Sequence, residues 1–335
     1  MSRIARSRRI IPVLIASSAL TIIGIVVGIG ALTPSPIRSG TGDGETPLQD
    51  NGGSLSIAFV NPLFTFTAYN DAFYRFYELH SDTPYGQDVT DDLELLKPKI
   101  IDHEPRLVRS IGKLLSHVEE LSPSTNITIY TDIDVHGYNE GDNMLLHGNQ
   151  GRMYDVVILG HQEYVTQQEY DNFKEYVANG GTLVALDGNV FYAEVKYDRE
   201  SDTLQLVKGH DWEFDGNAAR KSVSERWSNE TSEWLGSNYL CTTCTVTFEN
   251  NPFGYGHREE QYVTNPNAKI ILDYKARMED PRFAQLNPVI ATYQMNYGKG
   301  QVIVLGIFAE QVAGDEKFQE FFDELISDYS GKKYP

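Results

Sequence analysis

The sequence predicts an α/β domain with a mainly parallel sheet and helices on both faces. Three observations carry this. Leu55–Val60, Val156–Leu159 and Thr182–Leu186 are short apolar runs, the pattern of strands covered on both sides. Glu104–Leu121 and Thr166–Ala178 are amphipathic at helical spacing. The two kinds of segment alternate along the chain, which argues for crossover connections between parallel strands.

The central unit is Asp155–Tyr192, which reads as strand, polar turn, helix, strand, polar turn. Its helix carries Tyr170, Phe173 and Val177 on one stripe and Gln167, Asp171 and Lys174 on the other. Asn179-Gly180-Gly181 ends it, because glycine accepts the left-handed conformation at a helix terminus. The first strand runs into Gly160-His161-Gln162-Glu163-Tyr164, the second into Asp187-Gly188-Asn189-Val190-Phe191-Tyr192. Open α/β sheets build their sites at the carboxyl ends of strands. These two turns are therefore the first place to seek function.

The chain opens with Arg3, Arg6, Arg8 and Arg9, then the uncharged stretch Ile10–Leu32. That stretch is long enough to span a bilayer as a helix, and the basic flank keeps the amino end inside. The expectation is a basic tail (1–9), one transmembrane anchor in the lipid bilayer (10–32) and a Pro- and Gly-rich flexible linker (33–54). The main domain (55–329) then lies outside the cytoplasm, on a single-pass protein of the cell membrane. Phe64–Tyr77 is dense in aromatics and reads as core packing of a loop and short helix. Ile127–Tyr130 is a further strand, followed by the polar turn Thr131–His136. Residues 194–250 read as an insertion, a hairpin followed by a stretch with Trp212, Trp227 and Trp234. Those tryptophans raise the prospect of a surface that binds sugars or cell-surface ligands. Asn296–Gly300 is a hairpin turn, and Asp315–Asp328 is the closing helix.

Forty-seven acidic against 28 basic residues give a net charge of −19. Such a surface repels phosphate backbones, which argues against nucleic acid as a partner. The only cysteines, Cys241 and Cys244, form CTTC. The pair suits a redox motif, half a metal site or a disulfide. Outside the cytoplasm the disulfide is the expected state.

Four polar clusters stand out: Tyr130–His136, His161–Tyr164, Asp187–Asn189 with Tyr192, and His257–Glu260. A serine or cysteine nucleophile has little support. No GxSxG occurs, and the second turn offers Gly188-Asn189-Val190 where an elbow nucleophile would sit. There is no GxGxxG or Walker loop either. The remaining enzymatic route is a metal that activates water. His, Glu, Asp and tyrosinate all suit a hard or borderline ion such as iron. Each residue also has a structural reading: Asp132 and Asp134 as caps of backbone amides, His161 as a satisfied core histidine, Glu259 and Glu260 as solvated loop charges.

Ala68-Tyr69-Asn70, Tyr130–His136, Gly160-His-Gln-Glu-Tyr164 and Gly180–Tyr192, in this order and spacing, resemble the carboxyl-terminal domain of the large (β) subunit of N,N-dimethylformamidase. The resemblance implies a flavodoxin-like, class I glutamine-amidotransferase-like fold without the nucleophilic cysteine. It implies mononuclear iron held by two tyrosines and a glutamate, hydrolysing a small N-substituted amide. On that basis Tyr164 and Tyr130 are the tyrosine ligands, and Glu259 or Glu260 is the carboxylate. Glu163 moves protons, His161 orients, and Asn189, Tyr192 and His257 face the substrate. A small subunit or a second copy of the chain is the implied partner. The alternative is a non-catalytic binding or scaffold domain of the same fold.

Overall fold

A computed structural model describes residues 55–330, apart from 102–105, 122–123, 149–150, 189, 223–225, 240–245, 250–260, 273–274, 279–288, 291 and 307–311. In chain order the first elements are β1 (Ser56–Asn61), α1 (Leu63–Tyr69), α2 (Phe73–Leu79), β2 (Asp88–Val89), α3 (Arg106–Leu121), β3 (Asn126–Thr131) and α4 (Asp132–His136). Next come β4 (Val156–Leu159), β5 (Tyr164–Val165), α5 (Gln167–Ala178), β6 (Thr182–Ala185), β7 (Ala193–Asp198), β8 (Thr203–Gly209), β9 (Trp212–Phe214) and β10 (Ala219–Lys221). The remainder is α6 (Ser228–Trp234), β11 (Ser237–Tyr239), β12 (Val246–Glu249), β13 (Gln261–Val263), β14 (Lys269–Ile270), β15 (Lys275–Met278), β16 (Val289–Ile290), β17 (Tyr293–Tyr297), β18 (Gly300–Val304) and α7 (Glu316–Ser330).

The largest sheet has the order β14-β17-β18-β6-β4-β1-β3. From β3 to β18 its strands are parallel, and β17 and β14 add antiparallel strands at one edge. Alternate strand residues face opposite ways. Ile57, Phe59, Ile158 and Val184 meet α3 and α7 through Ile111, Leu114, Phe318 and Phe322. Ala58, Val60, Val157, Leu159 and Leu183 meet α5 through Tyr170, Phe173 and Val177. A second sheet, β2-β10-β9-β8-β7-β5, packs its apolar face on α1 and α2 through Leu204, Leu206, Trp212, Phe64, Phe73 and Phe76.

The expected mainly parallel, flavodoxin-like or class I glutamine-amidotransferase-like sheet is corrected here. Four sheets are present among the described residues, and antiparallel ladders outnumber parallel ones. The reason is connection length. Segment 193–221 alternates in burial and turns through short links, which permit only antiparallel pairing. The single-pass membrane placement is corrected as well. No helix among the described residues is long and apolar enough to cross a membrane, and residues 10–32 lie outside them. The tryptophans form no exposed platform: Trp212, Trp227 and Trp234 are all buried. Trp227 stacks on Tyr170 at 4.3 Å, and Trp234 Nε1 donates to Tyr170 Oη at 2.8 Å.

Helix α5 begins at a capping box. Thr166 Oγ1 accepts from the Glu169 amide (3.1 Å), and Glu169 reaches back to the Thr166 amide (3.4 Å). Its far end interlocks with the β17–β18 hairpin, where the Lys299 amide donates to Ala178 O at 3.0 Å. A Cβ on Gly300 would lie 2.3 Å from both Gly181 O and Val177 O. Gly300→Ala must push backbone apart, so it should destabilise the domain by about 1–3 kcal/mol. Urea unfolding should show this as a lower midpoint with an unchanged slope.

Candidate functional site

The parallel pairing of β4 with β6, Leu159 opposite Ala185, sets the two polar turns of the central unit side by side. The first turn is pinned at its backbone. Thr65 Oγ1 on α1 accepts from the amides of both Glu163 and Tyr164, at 3.1 Å each. Glu163 O accepts from the amides of Tyr192 (3.0 Å) and Ala193 (3.1 Å). The chain thus passes from the large sheet into β5 of the second sheet within one turn, and Glu163 lies at that junction.

Its carboxylate is fully buried and takes four donors. Tyr74 Oη (2.8 Å) and His210 Nε2 reach Oε1. Tyr69 Oη and His161 Nε2 (3.1 Å) reach Oε2. Tyr69 Oη is also 3.0 Å from His161 Nε2. Across the junction, His161 Nδ1 meets Asp187 Oδ2 at 2.6 Å, so the two turns are tied by an imidazole held between carboxylates. His210 enters from the β8–β9 hairpin, whose two-residue loop His210-Asp211 has φ of 51° and 66°. Both residues are left-handed, as a type I′ turn requires. The imidazole ring stacks between Tyr77 and Tyr164, 5.5 Å from each. Tyr69 and Tyr74 are 39% and 37% exposed, so their rings form the rim while their hydroxyls point inward.

Electrostatics fixes the charge states. Burial alone would raise the Glu163 carboxyl, but the charge of His210 and the hydrogen bonds of both histidines outweigh it and hold the group far below the usual range. Burial opposes the charge on His161, yet Asp187 and then Glu163 push its pKa well up. Burial, then the Glu163 charge, raises the phenols of Tyr69 and Tyr74 well above normal. The site is therefore an ionised carboxylate, the cationic His161 imidazole, the His210 imidazole and two neutral phenols around one point. A carboxylate so firmly ionised is a poor proton acceptor and a good ligand.

The other expected site residues are distributed differently. Tyr164 is buried behind the site and donates to Tyr77 Oη at 3.3 Å. Tyr130 pairs with Tyr154 Oη at 2.5 Å and packs in the α5-side cluster, whereas Tyr164 belongs to the cluster under α1 and α2. Tyr192 is buried and its hydroxyl donates to Gly188 O at 3.4 Å. Asn189, His257, Glu259, Glu260, Cys241 and Cys244 lie outside the described residues. Among the described residues, no group of three or more His, Cys, Asp and Glu side chains is arranged to hold a metal. The convergent donors here are instead two phenols and one carboxylate. Tyr74 and His210 escaped the sequence reading, and Tyr69 entered it only within Ala68-Tyr69-Asn70. One signal was available: a two-residue hairpin loop written His-Asp instead of Asn-Gly breaks the usual turn chemistry, and such breaks cluster at functional positions.

Because its folded pKa is raised, His161 contributes stability that is full below its ordinary value of 6.5 and is lost as pH rises through the folded value. In chelator-treated protein, Asp187→Asn should bring the His161 imidazole resonances to titrate closer to 6.5 and flatten the fall in melting temperature above that pH. Unchanged titration would remove Asp187 as the cause.

No curated protein matches the chain. Solved structures similar to it include Gan42B, a GH42 beta-galactosidase from G. stearothermophilus (14% identity, TM-score 0.39), which the match covers over 83% of this chain and 30% of that one. A beta-galactosidase from Halorubrum lacusprofundi is 14% identical at TM-score 0.41, over 85% and 32% of the two chains. A putative thua-like protein from Bacteroides uniformis is 11% identical at TM-score 0.38, over 86% and 98%. The chain thus spans about a third of the length of the galactosidases, and likenesses at these scores carry no argument about activity. Residues 47–268, well over half of the chain, match the family described as N,N-dimethylformamidase beta subunit-like, C-terminal, and the chain belongs to that family.

Proposed function

We propose that this domain is a metal-dependent hydrolase of small amides, with its ligands supplied by Tyr69, Tyr74 and Glu163. The single observation behind this reading is the convergence of two phenol oxygens on one permanently ionised, fully buried carboxylate. Two tyrosines and a glutamate are the ligand types that the family resemblance implies for iron. Here that pattern fits Tyr69, Tyr74 and Glu163 better than Tyr130, Tyr164 and the 259–260 pair. An all-oxygen, anionic donor set suits a hard or borderline cation. Iron held there by Tyr69, Tyr74 and Glu163 would supply Lewis acidity toward an amide carbonyl and a water molecule.

The chain's own residues provide the rest. Hydrolysis forms a C–O bond, breaks the C–N bond and requires a proton on the departing nitrogen. His161, cationic and gripped at Nδ1 by Asp187, presents Nε2 toward Glu163 and Tyr69 and is the donor for that proton. Asp187 acts through His161, favouring its charged form and fixing its ring plane. The second imidazole, His210, fixes the other carboxylate oxygen. The partly exposed rings of Tyr69 and Tyr74 leave an aromatic rim suited to a small, weakly polar substrate. A non-catalytic binding domain is the alternative, favoured by the fact that both Glu163 oxygens already carry two donors each.

Metal analysis of the full chain after loading with iron, followed by a screen of small N-substituted amides, separates the two. One iron per chain is expected, with a visible tyrosinate-to-iron(III) absorption. Tyr69→Phe, Tyr74→Phe and Glu163→Gln should each lose it, while Tyr130→Phe and Tyr164→Phe keep it. His210→Ala should weaken iron binding about 10–100-fold, as loss of an outer-shell partner does. Stoichiometric iron without amide turnover would favour the binding domain. Absence of bound iron would overturn the metal assignment.

A further inference from the structure

Beneath the site lies a second cluster of acids that the proposed chemistry does not use. Asp132 opens α4 and Glu169 sits in the first turn of α5; both are fully buried. Asp132 has two amide-type donors. The Phe64 amide in the first turn of α1 reaches Oδ2 at 2.6 Å, and Gln162 Nε2 reaches Oδ1 at 3.4 Å. Gln162 Nε2 also donates to Val60 O at 2.9 Å, tying the turn after β4 to β1. Glu169 is poorer in donors. Its Oε2 has the Thr166 amide at 3.4 Å, its Oε1 has no hydrogen-bond partner, and the Asp132 carboxyl lies beside the Glu169 carboxyl. Among the described residues no lysine or arginine pairs with either acid.

Two ionised carboxylates cannot face one another in such a place. Burying one unpaired charge is costly, and the second adds like-charge repulsion. We propose that Asp132 and Glu169 share one proton, and that this pair is a positioning element locking α1 and the 160–163 turn together, and so Tyr69 relative to Glu163. Glu169 is the proton's home, because the Phe64 and Gln162 donors favour charge on Asp132. The electrostatics agrees. Burial, then the charge of Asp132, raises Glu169 well above its ordinary value. Burial raises Asp132 to about 7 against the pull of its hydrogen bonds. Glu169 then donates to Asp132, and Asp132 passes the constraint on in two directions. Through Phe64 it caps α1, whose last residue is Tyr69. Through Gln162 it holds the residue next to Glu163.

The other titratable groups nearby are few. Asp134 acts on Asp132 from the same helix. His136, at the end of α4, places Nδ1 2.9 Å from Thr166 Oγ1, the cap of α5. β1 and α1 offer backbone groups, and the turn after β4 offers the Gln162 amide. The pair does not depend on what Glu163 binds, so its test stands apart from the iron assignment.

The sign of the pH effect follows directly. A carboxyl that keeps its proton when folded, but loses it above about 4.5 when unfolded, makes folding less favourable as pH rises from there. Infrared spectra of the full chain at neutral pH should show a protonated-carboxyl carbonyl band, deuterium-sensitive and absent from Glu169→Gln. That variant keeps a donor toward Asp132 without a titrating proton. It should retain the melting temperature near pH 7 and lose part of the downward slope above pH 4.5. Glu169→Ala should lower the melting temperature and speed hydrogen exchange at the Phe64 amide, while Glu169→Gln keeps that amide protected. Should Glu169→Ala fail to fold, the wild-type band and the Glu169→Gln slope still decide the matter. No such band at neutral pH, or its persistence in Glu169→Gln, would overturn the shared proton. So would a melting temperature raised by sodium, potassium, magnesium or calcium chloride only when Glu169 is present, which would put a cation between the oxygens. Phe64 exchange as slow in Glu169→Ala as in wild type would overturn the positioning role.

Discussion

A carboxylate without solvent is the constraint around which this domain is arranged. Glu163 is fully buried, and a bare charge there would cost far more than folding leaves to spare. The structure answers with two imidazoles and two phenols: His161 from the same turn, Tyr69 and Tyr74 from the α1–α2 junction, and His210 from the β8–β9 hairpin. Their placement dictates much else. α1 and α2 must present Tyr69 and Tyr74 at their adjoining ends. β8 and β9 must turn in two residues to deliver His210. β6 must end beside β4 so that Asp187 can balance the charge on His161.

The acid pair below repeats the problem with a different solution. Where Glu163 is compensated by cationic and hydroxyl donors, Asp132 and Glu169 are compensated by a proton. The two layers meet in the 160–163 turn, where Gln162 faces down and Glu163 faces into the site. The tight turn, in which the Glu163 amide donates to His161 O at 3.0 Å, sends these neighbouring side chains to the two layers and so wires them together. This also explains why α4, only five residues long, is well anchored: its first residue is a shared acceptor for α1 and the turn.

Much of this was legible in the sequence. Val156–Leu159 and Thr182–Leu186 are apolar without interruption, and only doubly covered strands tolerate that; both lie at the centre of the large sheet. Thr166 and Glu169 spell a helix start, and the Gly-Gly after Ala178 spells its end. The His161–Tyr164 and Asp187 turns also stood out, since open α/β sheets build their sites where polar residues follow such strands. What could not be read was tertiary distance. Tyr69 and Glu163 are 94 residues apart, and nothing in the aromatic-rich Phe64–Tyr77 segment separates phenols that face a carboxylate from rings that fill the core. The 193–221 sheet misled in another way. Its strands alternate in burial, but the partner strand β5 is only two residues long and carries no pattern of its own. Tyr130 and Tyr164 are the ligands that the family resemblance implies; here each phenol has its hydroxyl against a neighbouring tyrosine.

The two-residue strand β5 has a consequence for how the molecule comes to be. It is the point where the large sheet hands the chain to the second one, and three of the four donors to Glu163 come from segments 47, 89 and 94 residues away. Only His161, two residues from Glu163, is local to the site. Loop closure must precede every one of those contacts, which places them among the slower ones to form. The charge at Glu163 then acts as a late checkpoint in folding: a chain that joins its sheets out of register buries an uncompensated carboxylate and cannot rest there.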